Sequence, residues 1–358
     1  MTIIIDNIIT PYEIARYNTI NKVLNGNLEV WFQKSPIDRV RKSDLPEPDF
    51  KYRILNNRFF KVDIISLLNR DKSKIKRVIC CGWDSFVYLY AFYFCRKNNI
   101  RFTLWSGSTF FEMTWQRKII HPLVKFIVSR TDDYIAYGTR AKEYLLSLGA
   151  KSEKIKIFLN SVEVDYFYHN SGKITKRKAK LKEKYLISTE DTVFLFAGQL
   201  IERKGIKEFL SAFVIISEIF PSITLLLAGK GRLESWIKQF IYEHPQVKIK
   251  LLGYIQYYKL PEIYSLSDVL VLPSKEEVWG LVVNEALASG IPVIVSRFAG
   301  SSVDLIDENN GEIIKEITVE EISDAIKRYM KKKKYIISDD LLKKMNNDTY
   351  AKNVFGNL

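Results

Sequence analysis

The chain has 358 residues, enough for two domains at ~150 residues each and too many for a small stapled scaffold. Hydrophobic residues make up 47% and charged residues 27%, with 10 Pro and 16 Gly, which excludes a mostly disordered, collagen-like or mucin-like chain. The formal charge of +14 is uneven, with 27 Lys/Arg against 17 Asp/Glu in residues 1–170, 7 against 1 in 171–184, and 21 against 23 in 185–358, so the first half either meets an anionic partner (lipid headgroups, nucleic acid or a phosphorylated substrate) or carries ordinary solvated lysines.

The opening Met1-Thr2-Ile3-Ile4-Ile5-Asp6 lacks a basic region, a long apolar run and a cleavage site, so no signal peptide is expected and a cytoplasmic location is. Ile3–Ile5 reads as a short buried strand, Pro11 to Leu24 as a helix, and Leu28–Phe32 as a second strand. Residues 37–51, with Pro46 and Pro48, read as a loop. A helix is expected over Phe59–Leu68, then a strand at Val78–Cys81 and a helix over Ser85–Lys97. Residues 78–95 are apolar enough to raise a membrane span, but Gly82 and Asp84 interrupt them, and a strand followed by a helix fits better. The three cysteines, Cys80, Cys81 and Cys95, with three histidines in the chain, form neither a disulfide framework nor a zinc spacing. No metal site is expected, and the compartment is a reducing one. Arg101–Trp105 and Tyr134–Tyr137 complete a strand–helix alternation that predicts a parallel sheet covered by helices.

Residues 170–184 are polar and basic and mark the domain boundary, so the organisation reads as a domain over 1–170, a basic linker over 171–184 and a second domain over 185–340. Residues 341–358 form a terminal helix that crosses back to the first domain. The second domain repeats the rhythm, with strands at Val193–Gly198, Ile223–Ala228, Val247–Leu252, Val269–Leu272 and Pro292–Val295. Helices lie over Lys204–Ile219, Leu233–Tyr242, Leu260–Leu266 and Gly280–Ala288, and again over Glu320–Lys334, whose lysines 331–334 read as a solvated helix end. This predicts a doubly wound sheet, with ligands at the carboxyl ends of its strands.

Two segments of that domain carry candidate chemistry. Gly198-Gln199-Leu200-Ile201-Glu202-Arg203-Lys204-Gly205 closes an apolar strand with a glycine and places cations where a helix begins. It is either a phosphate cradle or a plain strand–loop–helix turn with surface cations. In Pro273 to Val293, Glu277 follows a strand and Glu285 lies eight positions on, about a turn and a half into the helix opening near Gly280. Carboxylates accept paired hydroxyl hydrogen bonds, which suits polyols, and the neighbouring cations suit phosphate. Gly229-Lys230-Gly231 is a weak GxG without a third glycine, and is discounted as a dinucleotide fingerprint.

Taken together, Gly198–Gly205 and Glu277–Ile294 resemble the donor-site signature of the retaining glycosyltransferases of family four, including the E-x7-E motif and the Ala-x-Gly-x-Pro-Val-Ile that follows it. The resemblance is strong over residues 190–300. It is weaker in the first half, at Thr10-Pro11-Tyr12, Gly82-Trp83-Asp84 and Tyr137-Gly138-Thr139. It implies the GT-B fold, α/β, with two doubly wound Rossmann-like domains facing a cleft, an N-terminal acceptor-binding domain and a C-terminal nucleotide-sugar-binding one. The implied donor-site residues are Gly198, Gln199, Arg203, Lys204, Glu277, Val278, Trp279, Gly280, Leu281 and Glu285. Lys204 would contact the donor diphosphate, Glu277 the sugar hydroxyls, Glu285 the ribose, and the amides near Gly280 and Leu281 the phosphate oxygens, with Lys204 and Glu277 taken as the catalytic pair. Gln199 stands where the family has Arg, which leaves the diphosphate one cation fewer unless Arg203 substitutes. Trp105 stands where the family has His at an N-domain strand end, and the first loop has no Gly-Gly.

The activity implied is metal-independent transfer of a sugar from a nucleoside-diphosphate donor, a co-substrate rather than a cofactor, to an acceptor hydroxyl with retention. The implied acceptor is lipid-linked or a glycan, in cell-surface polysaccharide, glycolipid or lipopolysaccharide synthesis. The basic first half, with Phe110, Phe111, Met113 and Trp115, reads as a peripheral contact to the anionic inner face of a membrane. A noncatalytic nucleotide-sugar or polyanion-binding protein is the alternative, and a nucleic-acid partner is not expected.

Overall fold

The computed structural model describes residues 1–34, 47–55, 62–112, 115–175, 178–332 and 334–356. Its contacts divide the chain into two compact units, Met1–Val162 with Asn346–Leu358, and Glu163–Met345.

The first unit is built on seven short strands: β1 (Thr2–Ile8), β2 (Leu28–Lys34), β3 (Lys51–Ile54), β4 (Arg77–Cys80), β5 (Arg101–Ser106), β6 (Asp133–Ala136) and β7 (Ile155–Ile157). They form one sheet in the order β3-β2-β1-β4-β5-β6-β7, every pair parallel. Side chains alternate across it, as a two-residue period requires. Ile3, Ile5, Val78, Cys80, Phe102 and Leu104 face a core shared with the helices Val62–Asp71, Phe86–Asn98 and Trp115–Ser129. On the opposite face, Ile4, Ile79, Trp105 and Ile135 meet the helices Pro11–Val23 and Asn347–Phe355, the latter through Ala351, Val354 and Phe355.

The second unit holds β8 (Thr192–Ala197), β9 (Ile223–Ala228), β10 (Ile249–Gly253), β11 (Val269–Leu272), β12 (Val293–Ser296) and β13 (Gly311–Ile314). Their order is β10-β9-β8-β11-β12-β13, again all parallel. In both sheets the winding reverses beside the first strand, between β1 and β4 and between β8 and β11. Two neighbouring loops there leave in opposite directions and open a crevice at the strands' carboxyl ends.

Several expectations shift. Residues 171–184, expected as a basic linker, hold the end of the helix Val164–Thr175 and the whole of the helix Lys178–Lys184, and both helices belong to the second unit. Lys182 is buried there and donates to the carbonyls of Thr189 and Asp191, at 2.8 and 2.6 Å, while Lys178 pairs with Asp268 at 2.6 Å. Of the expected loop over 37–51, residues 37–46 lie outside the described residues, and Lys51 already belongs to β3. Phe59, Phe60 and Lys61, at the head of the expected helix, also lie outside them. The second sheet has six strands rather than five. The apolar stretch 78–95 divides into β4 and the helix Phe86–Asn98, whose first turn Ser85 caps by accepting from the Tyr88 amide. Among the described residues no helix is long and apolar enough to cross a membrane.

Candidate active site

The two segments singled out in the second domain are the loops on either side of its reversal point. After β8 the chain turns at Gly198, makes a 3-10 turn over Glu202–Lys204, and enters the helix Ile206–Ile219 through Gly205 at φ +64°. A Cβ at Gly205 would lie 2.0 Å from the Pro273 carbonyl oxygen, so the loop after β8 rests directly on the loop after β11, and only glycine permits that approach. Polar contacts then lock the loops together. The Lys275 amide donates to the Arg203 carbonyl at 2.9 Å, and Arg203 Nη1 donates to the Glu276 carbonyl at 2.5 Å. Lys204 Nζ forms an ion pair with Glu277 Oε2.

Lys204 and Glu277 therefore meet across 73 positions of sequence. Their side chains are only 12% and 13% exposed, so the pair is largely withdrawn from water and each charge needs the other or a ligand. Arg203, the one candidate to replace the missing cation at Gln199, spends one guanidinium nitrogen on the loop carbonyl; Gln199 itself is exposed.

The loop carrying Glu277 is held from behind. The Gly300 amide donates to the Glu277 carbonyl at 3.2 Å, and Ser301 donates to the Trp279 carbonyl through its amide at 3.1 Å and its hydroxyl at 2.7 Å. Trp279 is buried, its indole donating to Asn284 Oδ1 at 2.9 Å. Its side chain thus braces the loop, whereas Val278 and Leu281 are half-buried. Gly280 at φ +89° starts the helix Leu281–Ala288, whose first two amides, of Leu281 and Val282, have no intrahelical acceptor, while that of Val283 donates to the Gly280 carbonyl at 2.9 Å.

Glu285 does not join the Lys204–Glu277 pair in this structure. It is 1% exposed and accepts from the Tyr264 hydroxyl at 2.5 Å. Tyr264 and Tyr257 both pack edge-on against Phe167, and burial raises the nearby Glu163 carboxyl above its ordinary range. Neither tyrosine is marked by a motif in the sequence.

Glycines do more here than the sequence suggested. A Cβ on Gly229 would lie 1.7 Å from the Gly198 carbonyl oxygen, and one on Gly231 would lie 2.2 Å from that of Leu200. The Gly229 amide in turn donates to the Gly253 carbonyl at 2.7 Å. The Gly229-Lys230-Gly231 run is thus a packing device that stacks the loops after β8, β9 and β10.

In the first unit, the reversal between β1 and β4 is lined by a polar cluster. Arg16 is fully buried beneath the Trp105 and Tyr137 rings, donates to Tyr137 Oη at 3.2 Å and to Asn160 Oδ1, and lies 3.9 Å from Glu13. Thr10 Oγ1 donates to Glu13, and Tyr17 Oη donates to Asp6 Oδ2 at 2.5 Å. Burial lifts the Glu13 carboxyl to about 7 although Arg16 opposes the shift. Trp105, at the position where the resemblance implies histidine, is 1% exposed and packs on Phe158, with ring centroids 5.1 Å apart. Among the described residues no group of three or more His, Cys, Asp or Glu side chains converges in a metal-binding arrangement.

Comparison with known proteins agrees with this architecture. Residues 177–352 match the family model described as Glycosyl transferases group 1. The chain is 27% identical to an uncharacterized glycosyltransferase of Methanocaldococcus jannaschii over 196 residues, 54% of this chain and 50% of that one. It is 29% identical to the Escherichia coli UDP-Gal:alpha-D-GlcNAc-diphosphoundecaprenol alpha-1,3-galactosyltransferase over 178 residues, 49% of this chain and 45% of that one. The match thus spans about half the length of these relatives or less. The crystal structure of Anabaena HepE in complex with UDP superposes with a TM-score of 0.75 at 14% identity, covering 99% of this chain and 95% of that one. With that fold, those matched residues and an E-x7-E segment set at the reversal of a doubly wound sheet, residues 177–352 match the group 1 glycosyl transferases, the retaining family four, and the chain takes the GT-B fold.

Proposed function

We propose that the protein transfers a sugar from a nucleoside-diphosphate donor to an acceptor hydroxyl, with retention at the anomeric carbon and without a metal ion. The observation that carries this reading is the Lys204–Glu277 pair, one cation and one hydroxyl acceptor, held at the crevice between β8 and β11 by loops that cannot move apart independently. In the free protein the two charges neutralise each other. A donor that brings both hydroxyls and a diphosphate satisfies each separately: sugar hydroxyls donate to Glu277, and the Lys204 ammonium faces the diphosphate together with the first amides of the helix Leu281–Ala288. Charge on the diphosphate grows as the glycosidic bond breaks, so a fixed cation and a helix start favour the transition state over the ground state. The acceptor hydroxyl attacks on the face the diphosphate leaves and passes its proton to a diphosphate oxygen. Glu277 then serves as a binder rather than a nucleophile.

Glu285 is the proposed ribose acceptor, which requires it to exchange the Tyr264 hydroxyl for a ribose hydroxyl or to bind both. The E. coli relative's name points to a UDP-sugar donor and a diphosphoundecaprenol-linked acceptor, and we carry both classes to this chain. An acceptor of that kind resides in a membrane, which suits the helix Trp115–Ser129. Its Ile119, Leu123 and Phe126 are 67%, 47% and 48% exposed and share one helical face, with Lys125 beside them. Phe110 and Phe111 are exposed nearby in sequence, whereas Met113 and the Trp115 side chain lie outside the described residues. The proposed role is therefore assembly of cell-surface polysaccharide or glycolipid at the inner face of a membrane.

The test is calorimetric titration with nucleoside diphosphates, followed by donor turnover with an undecaprenyl-diphosphate-linked sugar as acceptor. Binding with transfer supports the reading. Binding without transfer to any lipid-linked or glycan acceptor leaves a noncatalytic nucleotide-sugar-binding protein, and absence of binding removes both.

A further inference from the structure

At the opposite ends of the first sheet's strands lies a second concentration of charge that the transfer reaction does not use. Arg77 opens β4, Arg101 opens β5 directly beside it in the register, Asp133 opens β6, and Lys156 lies in β7. With Glu153 and Lys154 they line a cavity of about 160 Å3, closed on one side by Val354 of the helix Asn347–Phe355. Four cations face two carboxylates there.

Asp133 is already committed, while Glu153 is exposed and the Lys156 ammonium donates to the Asn353 carbonyl at 3.1 Å. Asp133 takes a two-pronged contact from Arg101, at 2.5 and 2.8 Å, and stands 3.9 Å from Arg77 Nη2. Arg77 is 6% exposed. Its Nε donates to Thr103 Oγ1 at 2.8 Å, and its guanidinium lies over the Phe355 ring at 5.7 Å, which fixes its plane. Among the described residues, Nη1 of Arg77 has no hydrogen-bond partner. A buried guanidinium N–H without an acceptor is costly, and a phosphoryl group offers the acceptor oxygens that a forked donor fits best. Burial, with a smaller push from Arg101, lowers the Arg77 pKa to about 10 although Asp133 opposes the shift.

We propose that this cavity is a phosphate-binding site, formed by Arg77, Arg101, Lys154 and Lys156, that takes a single phosphoryl group from a soluble phosphate monoester or from a lipid headgroup. Its volume suits one such group and not a sugar nucleotide. It lies at the strands' amino ends, away from the carboxyl-end reversal in the same sheet, and it stands independently of the proposed transfer reaction.

The experiment titrates inorganic phosphate into the full chain by calorimetry at constant ionic strength, with UDP present to fill the nucleotide site, and repeats it with Lys154→Ala/Lys156→Ala and with Arg77→Met. Both lysines are exposed, so the double variant keeps the fold even if Arg77→Met does not. Saturable phosphate binding, weakened at least about tenfold in the double variant, supports the site and a soluble source. A second arm pellets the same proteins with phosphatidylcholine vesicles containing or lacking phosphatidic acid. Pelleting that needs phosphatidic acid and falls in the double variant, without binding of free phosphate, supports the site with a headgroup as its source. Equal behaviour of wild type and double variant in both arms overturns the proposal. Because failure of UDP to bind would be seen in its own titration, the transfer reading and this one fail separately.

Discussion

Lys204 and Glu277 each lose more than a contact when the other is removed, because both are nearly buried. Lys204→Ala should lower turnover by about 10²- to 10³-fold while donor affinity changes far less, since the lysine acts on charge that develops as the diphosphate departs. Steady-state rates of nucleotide release set against calorimetric affinities measure that split; equal loss in both would make the lysine a plain binder. Gly205→Ala tests the loop contact on which the pair depends. It carries both the left-handed backbone penalty and a clash with the Pro273 carbonyl, whereas Gly149, at φ +95° with open space around its Cβ position, carries the backbone penalty alone. Urea denaturation should show Gly149→Ala costing about 1–2 kcal/mol and Gly205→Ala clearly more. Glu13 gives the pH dependence. Its carboxyl is raised from an ordinary 4.5 to about 7, so the folded chain holds a proton that the unfolded chain releases. The stability this contributes is complete below the unfolded value and is lost as pH rises through about 7. Asp6, also raised by burial, shifts stability in the same direction. Melting temperatures should therefore fall with rising pH between about 5 and 8 in the wild type, and less steeply in Glu13→Gln.

The helix Asn347–Phe355 is held by a few large side chains. The Phe355 ring lies 6.3 Å from Trp105 and 6.4 Å from Phe158, with Arg77 over its face. Phe355→Ala should destabilise the protein by about 3–5 kcal/mol, while Lys352→Ala on the exposed side of the same helix should fall within about 0.5 kcal/mol of wild type. Chemical denaturation of the two variants makes the comparison. Elements of this kind were legible in the sequence when an apolar run or a helical period was strong. The strands beginning at Val193, Ile223 and Val269 are fully buried and read directly. Strands β3, with Lys51 and Arg53, and β13, with Glu312, carry charge at sheet edges in four residues each, too short for alternation to show. The 171–184 segment reads as a linker because seven of its fourteen residues are Lys or Arg. Lys182 buries its stem and spends its ammonium on two carbonyls, and composition cannot distinguish that from a solvated face.

At the level of the whole chain, charge asymmetry sets the expected membrane behaviour. Sedimentation with anionic vesicles should fall with added salt, and Ile119→Ser/Leu123→Ser should reduce it with little change in melting temperature because both side chains are already exposed. Equal pelleting with neutral and anionic vesicles would leave the positive first half without this role. The donor crevice was readable because its residues lie in two continuous segments, whereas the polar cluster of Glu13, Arg16, Tyr137 and Asn160 is gathered from three separate segments and carries no local pattern. Arg16 could not be picked out as a buried arginine among 55 Lys and Arg residues.

The placement of residues 346–356 with the first unit has a consequence for biosynthesis. Everything from Glu163 to Met345 is, in connectivity, an insertion into the first unit. A ribosome delivers Met1–Val162 long before the helix that covers Ile4, Trp105 and Phe158. Until that helix emerges, the nascent first unit presents an unshielded aromatic face, while the later segment Glu163–Met345 has all its own strands and can fold first. The order of maturation is thus inverted relative to the order of synthesis, and the interval between them is when a chaperone would be needed most.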